Sequence, residues 1–265
     1  MKLCTILIGI AVLLLNISLI QADLPDKELH NRCLYPTIKV TLVGQDSGGT
    51  GTIVRSTKID NNEYENVFIT AGHVANRSGS FVIHTYEYKN YSIIESKTII
   101  PCYFYAIDPE RDMAIGIFIT KKAMPTAEIN VNPQLYIGNS VLRIGCGLGD
   151  DPRLDEGKIS QVSTRISHHA NMIRTTVHTL PGDSGSALFN ENKIVGIMIM
   201  IRNLGPQRQF ALVPGMSYAV PIQRFLTWSQ ENSNALSFPW DNKEALPKMP
   251  IYQIRLMEEN EIIPD

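Results

Sequence analysis

The chain has 265 residues, of which 44% are hydrophobic and 19% charged, and its formal net charge is -2. Those proportions exclude a disordered or collagen-like chain. Lys and Arg number 24 against 26 Asp and Glu, with no long run of either sign, so neither a nucleic-acid face nor a polybasic membrane patch is indicated.

Residues 1–22 have the layout of a secretory signal. Lys2 gives a positive start, Thr5 to Ile20 is apolar, and Ala22 offers a small residue for cleavage before Asp23. The run is short for a membrane span, and the rival reading is an uncleaved signal anchor. No second run of spanning length follows, so the expectation is a secreted, extracellular body without stable membrane association. Cys4 lies in the signal, which leaves Cys33, Cys102 and Cys146 in the mature chain. An odd number allows at most one internal disulfide; Cys33 with Cys102 is the pairing we take, although spacing alone does not decide connectivity. Asn76-Arg77-Ser78 and Asn90-Tyr91-Ser92 are glycosylation sequons.

From Tyr35 the chain reads as short β-rich runs broken by turn residues. Thr37–Val43, Thr52–Val54, Val67–Thr70, Phe81–His84, Thr98–Phe104 and Ala114–Thr120 form a first series. A second begins near Leu135 and continues through Ser140–Cys146, Lys158–Ser163, Met172–Thr176, Ala187–Phe189, Lys193–Ile201 and Met216–Val220. Between them Lys121–Pro133 is polar and carries two prolines, which suits a crossing linker. The expectation is an all-β chain of two six-stranded antiparallel barrels, spanning 35–125 and 134–230, and closed by a helix over Pro221–Gln230. That helix has proline at its first position and apolar residues at helical spacing. Residues 232–265, with four prolines and no period, read as an extended tail.

Three segments carry chemistry. Leu180–Phe189 (LPGDSGSALF) flanks Asp183-Ser184 with glycines, which permit a tight loop whose Gly182 and Ser184 N–H groups converge near the Ser184 hydroxyl. A serine hydroxyl is a poor nucleophile at neutral pH unless an imidazole takes its proton and a carboxylate orients that imidazole. Val67–Val74 (VFITAGHV) runs an apolar strand into small residues before His73, a context that none of the other five histidines has. Asp112, in Glu110–Ile115 (ERDMAI), stands ahead of an apolar strand, and Asp108 is its rival.

In the order His, Asp, Ser these segments resemble the trypsin/chymotrypsin-like serine peptidases. TAGHV is similar to that family's histidine motif, RDMAI to its aspartate motif and PGDSGSALF to its serine motif. Gly48–Val54 (GGTGTIV) is similar to its first hairpin, and Ser217–Ile222 (SYAVPI) to its last strand before the C-terminal helix. The resemblance covers about Tyr35 to Gln230 and implies Greek-key barrels with His73 and Asp112 in the first and Ser184 in the second. It further implies a serine endopeptidase with an oxyanion hole at Gly182 and Ser184, acting without metal or organic cofactor on protein or peptide substrates, as a monomer. The flanking cysteines of the digestive members and an Ile-Val-Gly-Gly start are lacking, so the likeness is to the disulfide-poor branch of glutamyl endopeptidases and high-temperature-requirement proteases. The latter carry a peptide-binding domain for which the tail here is too short.

Alignment on the serine motif sets His178 and Thr179 at the base of the pocket for the residue before the scissile bond. Met198 and Ile199, with the two residues after them, form one wall. No acid stands at that base, which disfavours Arg or Lys there. Two rival readings are a protease-like binding protein with a blocked cleft and an α/β-hydrolase esterase, of which the second fails on three counts. The esterase would need Gly-x-Ser-x-Gly ahead of a helix and histidine last in chain order; here Ser186 ends the motif, a strand follows, and histidine comes first.

Overall fold

β-Branched and aromatic residues alternate along the chain with turn-formers, and each run folds as a half-buried pleated strand. The computed structural model describes residues 26–59, 62–166, 169–203 and 212–231; the expected signal segment and tail lie outside them. Six strands come first: β1 (Thr37–Leu42), β2 (Gly48–Lys58), β3 (Tyr64–Thr70), β4 (Phe81–Lys89), β5 (Ile93–Asp108) and β6 (Met113–Thr120). They close into an antiparallel barrel in the order β1-β2-β3-β6-β5-β4. Phe68 is wholly buried there, between Phe104 and Phe118. The missing side chain of Gly116 makes room for it, since a Cβ at that position would come within 2.1 Å of the Phe68 ring.

The second set comprises β7 (Glu128–Ile129), β8 (Ser140–Gly145), β9 (Arg153–Ile166), β10 (His169–Thr175), β11 (Ala187–Asn190), β12 (Lys193–Asn203) and β13 (Leu212–Pro221). The order is β11-β8-β9-β10-β13-β12, and β11 also pairs with β12, so these six strands form a second closed barrel; β7 joins β12 in parallel. The two expected six-stranded antiparallel barrels are therefore present. Residues 121–133 cross between them, tied to the first by the Ala127 N–H on the Ile53 carbonyl and to the second by the Asn130 N–H on that of Ile194. Among the described residues the α-helices are short: α1 (Lys27–Leu29), which continues as a π-helical turn over His30–Leu34, α2 (Gly72–Ala75) and α3 (Ile222–Glu231), which follows the last strand. Among the described residues no helix is long and apolar enough to cross a membrane.

Several expectations need correction. Leu135 begins no strand: Pro133 lacks an N–H, and the Asn139 side chain accepts from the Tyr136 N–H, which makes the segment a turn. Pro221 ends β13 opposite Gly196 instead of opening the helix. The α1 segment escaped notice, although Asp26 is a clear N-cap that accepts from the Glu28 and Leu29 N–H groups at 3.0 Å. The Cys33–Cys102 disulfide is absent, and Cys33, Cys102 and Cys146 are all free and buried. The Cys33 thiol points to Asn192 Oδ1, while Cys102 stands opposite Phe81 in the β4–β5 ladder. Burial pushes each thiol up to about 12, so all three remain protonated. Both sequon asparagines, Asn76 and Asn90, are exposed.

Glu128 on β7 joins three separate pieces of chain, meeting Arg32 after α1 and Lys193 of β12, the latter at 2.5 Å. The hydrogen bond from Lys193, then that from Arg32, hold its carboxyl below the ordinary 4.5. A lowered folded-state pKa contributes stability above the unfolded value, and that contribution disappears as pH falls through the folded one. Wild type should therefore melt above Glu128→Gln at neutral pH, and the gap should close as acidification protonates the Glu128 carboxylate of the folded protein. Thermal melts of both proteins across that range check this; a gap independent of pH would contradict it.

Candidate active site

His73 is delivered by strand β3. The apolar run Val67–Thr70 ends, Ala71 is extended, and α2 turns the chain so that His73 stands at the barrel rim with a half-exposed side chain. Asp112 comes from the β5–β6 turn, where it adopts a left-handed backbone (φ 55°) that Asp tolerates better than most residues. Its carboxylate is nearly buried and grips His73 at two places. Oδ1 accepts the His73 backbone N–H at 2.7 Å, and Oδ1 and Oδ2 lie 3.0 and 2.9 Å from Nδ1. In the tautomer that suits this contact Nδ1 donates to the carboxylate and Nε2 is the acceptor. The rival Asp108 turns elsewhere, accepting the Arg111 N–H at 2.9 Å and its guanidinium at 2.8 Å.

His30 and His84 have partners elsewhere. The His30 ring bonds the Asp26 carbonyl and the Ser92 hydroxyl. His84 bonds Thr41, with its pKa pushed down by burial and then by Lys39.

Ser184 lies on the loop before β11. Gly182 (φ 98°) and Gly185 (φ 88°) hold backbone shapes that side chains oppose. A Cβ on Gly185 would also strike Thr70 Oγ1 at 2.0 Å and the Thr50 carbonyl at 2.1 Å, at the end of the strand that delivers His73. Gly49 is caught between the two parts: a Cβ there would meet Val74, next to His73, at 2.5 Å and the Ser184 carbonyl at 2.9 Å. The structure thus brings His73 and Asp112 into contact and sets the Ser184 loop across one glycine seam from them. Among the described residues no hydrogen bond joins the imidazole to the Ser184 hydroxyl.

Within the loop, the N–H groups of Asp183, Gly185 and Ser186 donate to the carbonyls of Leu180, Met198 and Asp183. Those of Gly182 and Ser184 donate to no acceptor among the described residues. Two available N–H groups beside a serine can receive an oxygen that becomes negative during attack. The four expected pocket residues differ in exposure. His178 is exposed, and Thr179 is buried with its hydroxyl unpartnered among the described residues. Ile199 is buried, and the Met198 side chain is enclosed in the core with Val141, Ile159 and Leu188. Met198 therefore holds the loop through its backbone and does not present its side chain as a wall. A cavity of about 890 Å³ opens elsewhere, lined by Tyr35, Tyr88, Ile100 and Met124, and includes none of His73, Asp112 or Ser184. Among the described residues no three His, Cys, Asp or Glu side chains are grouped to hold a metal ion.

Two contributors went unnoticed in the sequence. Thr50, wholly buried on β2, donates its hydroxyl to the Gly182 carbonyl at 2.8 Å and its N–H to that of Ser184 at 2.8 Å. The same hydroxyl accepts from the Cys146 N–H at 2.9 Å. A lone threonine in GGTGTIV gives no sign of such contacts. Arg143 is the other, and an arginine inside the apolar run Val141–Gly145 was a visible anomaly. Thr50→Val should cost about 1–3 kcal/mol by leaving the Cys146 N–H and Gly182 carbonyl unmet. Urea unfolding measures this, and an unchanged midpoint would show that Thr50 does not hold the seam.

A profile of the trypsin-like peptidase domain matches residues 49–197. A probable periplasmic serine endoprotease, DegP-like, from Ectopseudomonas mendocina is 30% identical over 129 residues, which is 47% of this chain and 26% of that protein. The serine protease Do-like HtrA of Lactobacillus helveticus is 28% identical over 127 residues, 45% of this chain and 30% of that one. The chain thus spans under a third of the length of these relatives. The crystal structure of a serine endoprotease from Yersinia pestis superposes with a TM-score of 0.56 at 21% identity, covering 79% of this chain and 67% of the other, a likeness of fold.

Proposed function

We propose that this chain, which belongs to the trypsin-like peptidase domain family, is a serine endopeptidase working through Ser184, His73 and Asp112. The observation that carries the reading is the buried Asp112 carboxylate holding both the backbone and Nδ1 of His73, with the Ser184 loop across the seam.

The chemistry follows from those positions. Ser184 Oγ attacks the peptide carbonyl carbon as its proton passes to His73 Nε2, and the carbonyl oxygen becomes an oxyanion received by the Gly182 and Ser184 N–H groups. The imidazolium, stabilised by Asp112, then protonates the departing amine as the C–N bond breaks. The same imidazole then deprotonates a water that attacks the acyl carbon, and the imidazolium so formed returns the proton to Ser184 Oγ as the ester C–O bond breaks. The imidazole–hydroxyl contact closes when substrate binds, as such contacts commonly tighten in the bound complex. That same open contact also favours a second reading, a protease-like binding protein that performs no hydrolysis.

The two readings part on direct assay. Ser184→Ala should abolish labelling by a fluorophosphonate and cleavage of a peptide library, while Asp112→Asn should lower kcat about 10³–10⁴-fold through the wrong imidazole tautomer. Purified wild type that neither labels nor cleaves would leave the binding protein. Library cleavage also reports the residue preferred before the scissile bond, for which the base at His178 and Thr179 presents no acid.

The signal layout of residues 1–22 and the word periplasmic in the relatives' names support export, and with it action on protein substrates outside the cytoplasm. Mass spectrometry of the exported chain should find its N-terminus at Asp23, and retention of residues 1–22 would favour the anchor instead.

A further inference from the structure

The two proposed oxyanion donors belong to different peptide planes, and the planes are held from different sides. The Ser184 N–H shares its plane with the Asp183 carbonyl, which accepts the Ser186 N–H at 3.0 Å and hydroxyl at 2.7 Å, inside the serine loop itself. The Gly182 N–H shares its plane with the Pro181 carbonyl. In a trans peptide the two point in opposite directions, so whatever holds that carbonyl aims that N–H. Among the described residues the Pro181 carbonyl is held by one donor, the Leu148 N–H at 2.6 Å. Thr50 reaches the next carbonyl, that of Gly182, and Arg143 and Arg153 meet the Asp183 carboxylate; neither contact fixes the earlier plane.

Leu148 stands in the turn Gly147–Gly149 with a left-handed backbone (φ 59°, ψ 14°) that leucine ordinarily avoids. The turn lies hard against the serine loop: a Cβ on Gly182 would come within 2.7 Å of the Cys146 carbonyl oxygen and 3.0 Å of the Leu148 nitrogen. Its other side leans on the first barrel. Half-buried Lys39 of β1 donates from Nζ to the Gly149 carbonyl at 2.6 Å, and a Cβ on Gly149 would come within 2.8 Å of the Asp46 carbonyl oxygen. Two residues on, Asp151 pairs with Lys97 of β5 at 2.6 Å, where both are half exposed.

We propose that Lys39 is a positioning residue for the peptidase reaction: its ammonium holds the Gly149 carbonyl, which keeps the turn against the serine loop and the Gly182 N–H aimed at the substrate oxygen. This rests on the serine-peptidase reading above. The first barrel thereby contributes to oxyanion stabilisation as well as to the imidazole. The Pro181–Gly182 plane needs a hold from outside the loop, because Gly182 has no side chain to resist a flip of the peptide before it. A strained backbone such as that of Leu148 persists only where its surroundings over-determine it. Here the Gly149 and Asp150 N–H groups close the turn on the Cys146 and Gly147 carbonyls, and Lys39 grips it from the other barrel. Among the described residues no carboxylate pairs with Lys39 Nζ, so the cation is committed to that carbonyl.

The test compares wild type with Lys39→Met, each as the full chain. Folded fraction comes from thermal melts followed by circular dichroism, and kcat and KM from a fluorogenic peptide that wild type cleaves. A peptide aldehyde of the same sequence gives an inhibition constant for a bound oxyanion mimic, since its oxygen takes the oxyanion position when Ser184 adds to its carbon. Lys39→Met should lower kcat per folded molecule between about 10- and 10³-fold, the upper end being outright loss of one donor. Aldehyde affinity should fall by a similar factor while KM stays near its wild-type value, because the donor acts on charge that develops in the transition state. A merely structural role would lower the melting temperature and leave kcat per folded molecule unchanged, and that result overturns the inference. So does a loss of kcat with undiminished aldehyde affinity. Should Lys39→Met fail to fold, Lys39→Gln, neutral and one atom shorter, decides by the same comparison. Wild type that does not cleave defeats the peptidase reading and this inference together, whereas an active wild type beside an equally active variant defeats this inference alone.

Discussion

The site depends on a backbone-to-backbone seam between the two barrels. Thr50 of β2 meets Gly182 and Ser184 through hydrogen bonds of 2.8 Å, and Gly49 and Gly185 remove the side chains that would hold the surfaces apart. A methyl group at Gly185 would overlap Thr70 Oγ1 and the Thr50 carbonyl, so close approach here requires glycine. Neither barrel carries the candidate site alone. The first supplies an oriented imidazole, the second a serine with free N–H groups, and the register of the seam decides how they stand to one another.

Electrostatics reinforces each half separately. Asp112 is nearly buried and would be an expensive charge without the N–H and ring of His73 to meet it. Asp183 is fully buried and meets two arginines. The acids on the two sides of the seam are therefore satisfied within their own barrels, and no ion pair is needed between the halves of the site. Where the barrels are clasped by charge, at Arg32, Glu128 and Lys193, the groups are half exposed and contribute modestly.

The sequence was readable wherever local pattern and tertiary role coincide. Strand runs, the linker at 121–133 and the His73, Asp112 and Ser184 segments each carry a short-range signature, because a strand ending in small residues or a glycine-flanked serine already states its backbone. Choosing Asp112 over Asp108 was possible on the same ground, and the Arg111 contact then occupies Asp108. Thr50 was not legible, since its work depends on a loop more than a hundred residues away. Met198 was misplaced because an apolar residue on a strand reads the same whether it lines a pocket or fills a core. The disulfide failed because cysteine counting carries no geometry, and Cys33 and Cys102 occupy different surroundings.

Anchoring each half independently has a consequence for the reaction coordinate. The imidazole cannot swing far, because Asp112 holds both its ring and its backbone. The Ser184 backbone is likewise pinned by Thr50 and by its own loop. What remains adjustable is the serine side-chain torsion, a motion of low energy compared with unpairing either acid. Closing the imidazole–hydroxyl contact can then be driven by the modest differential affinity of a bound peptide for the closed form, while the charged supports of both halves stay where they are.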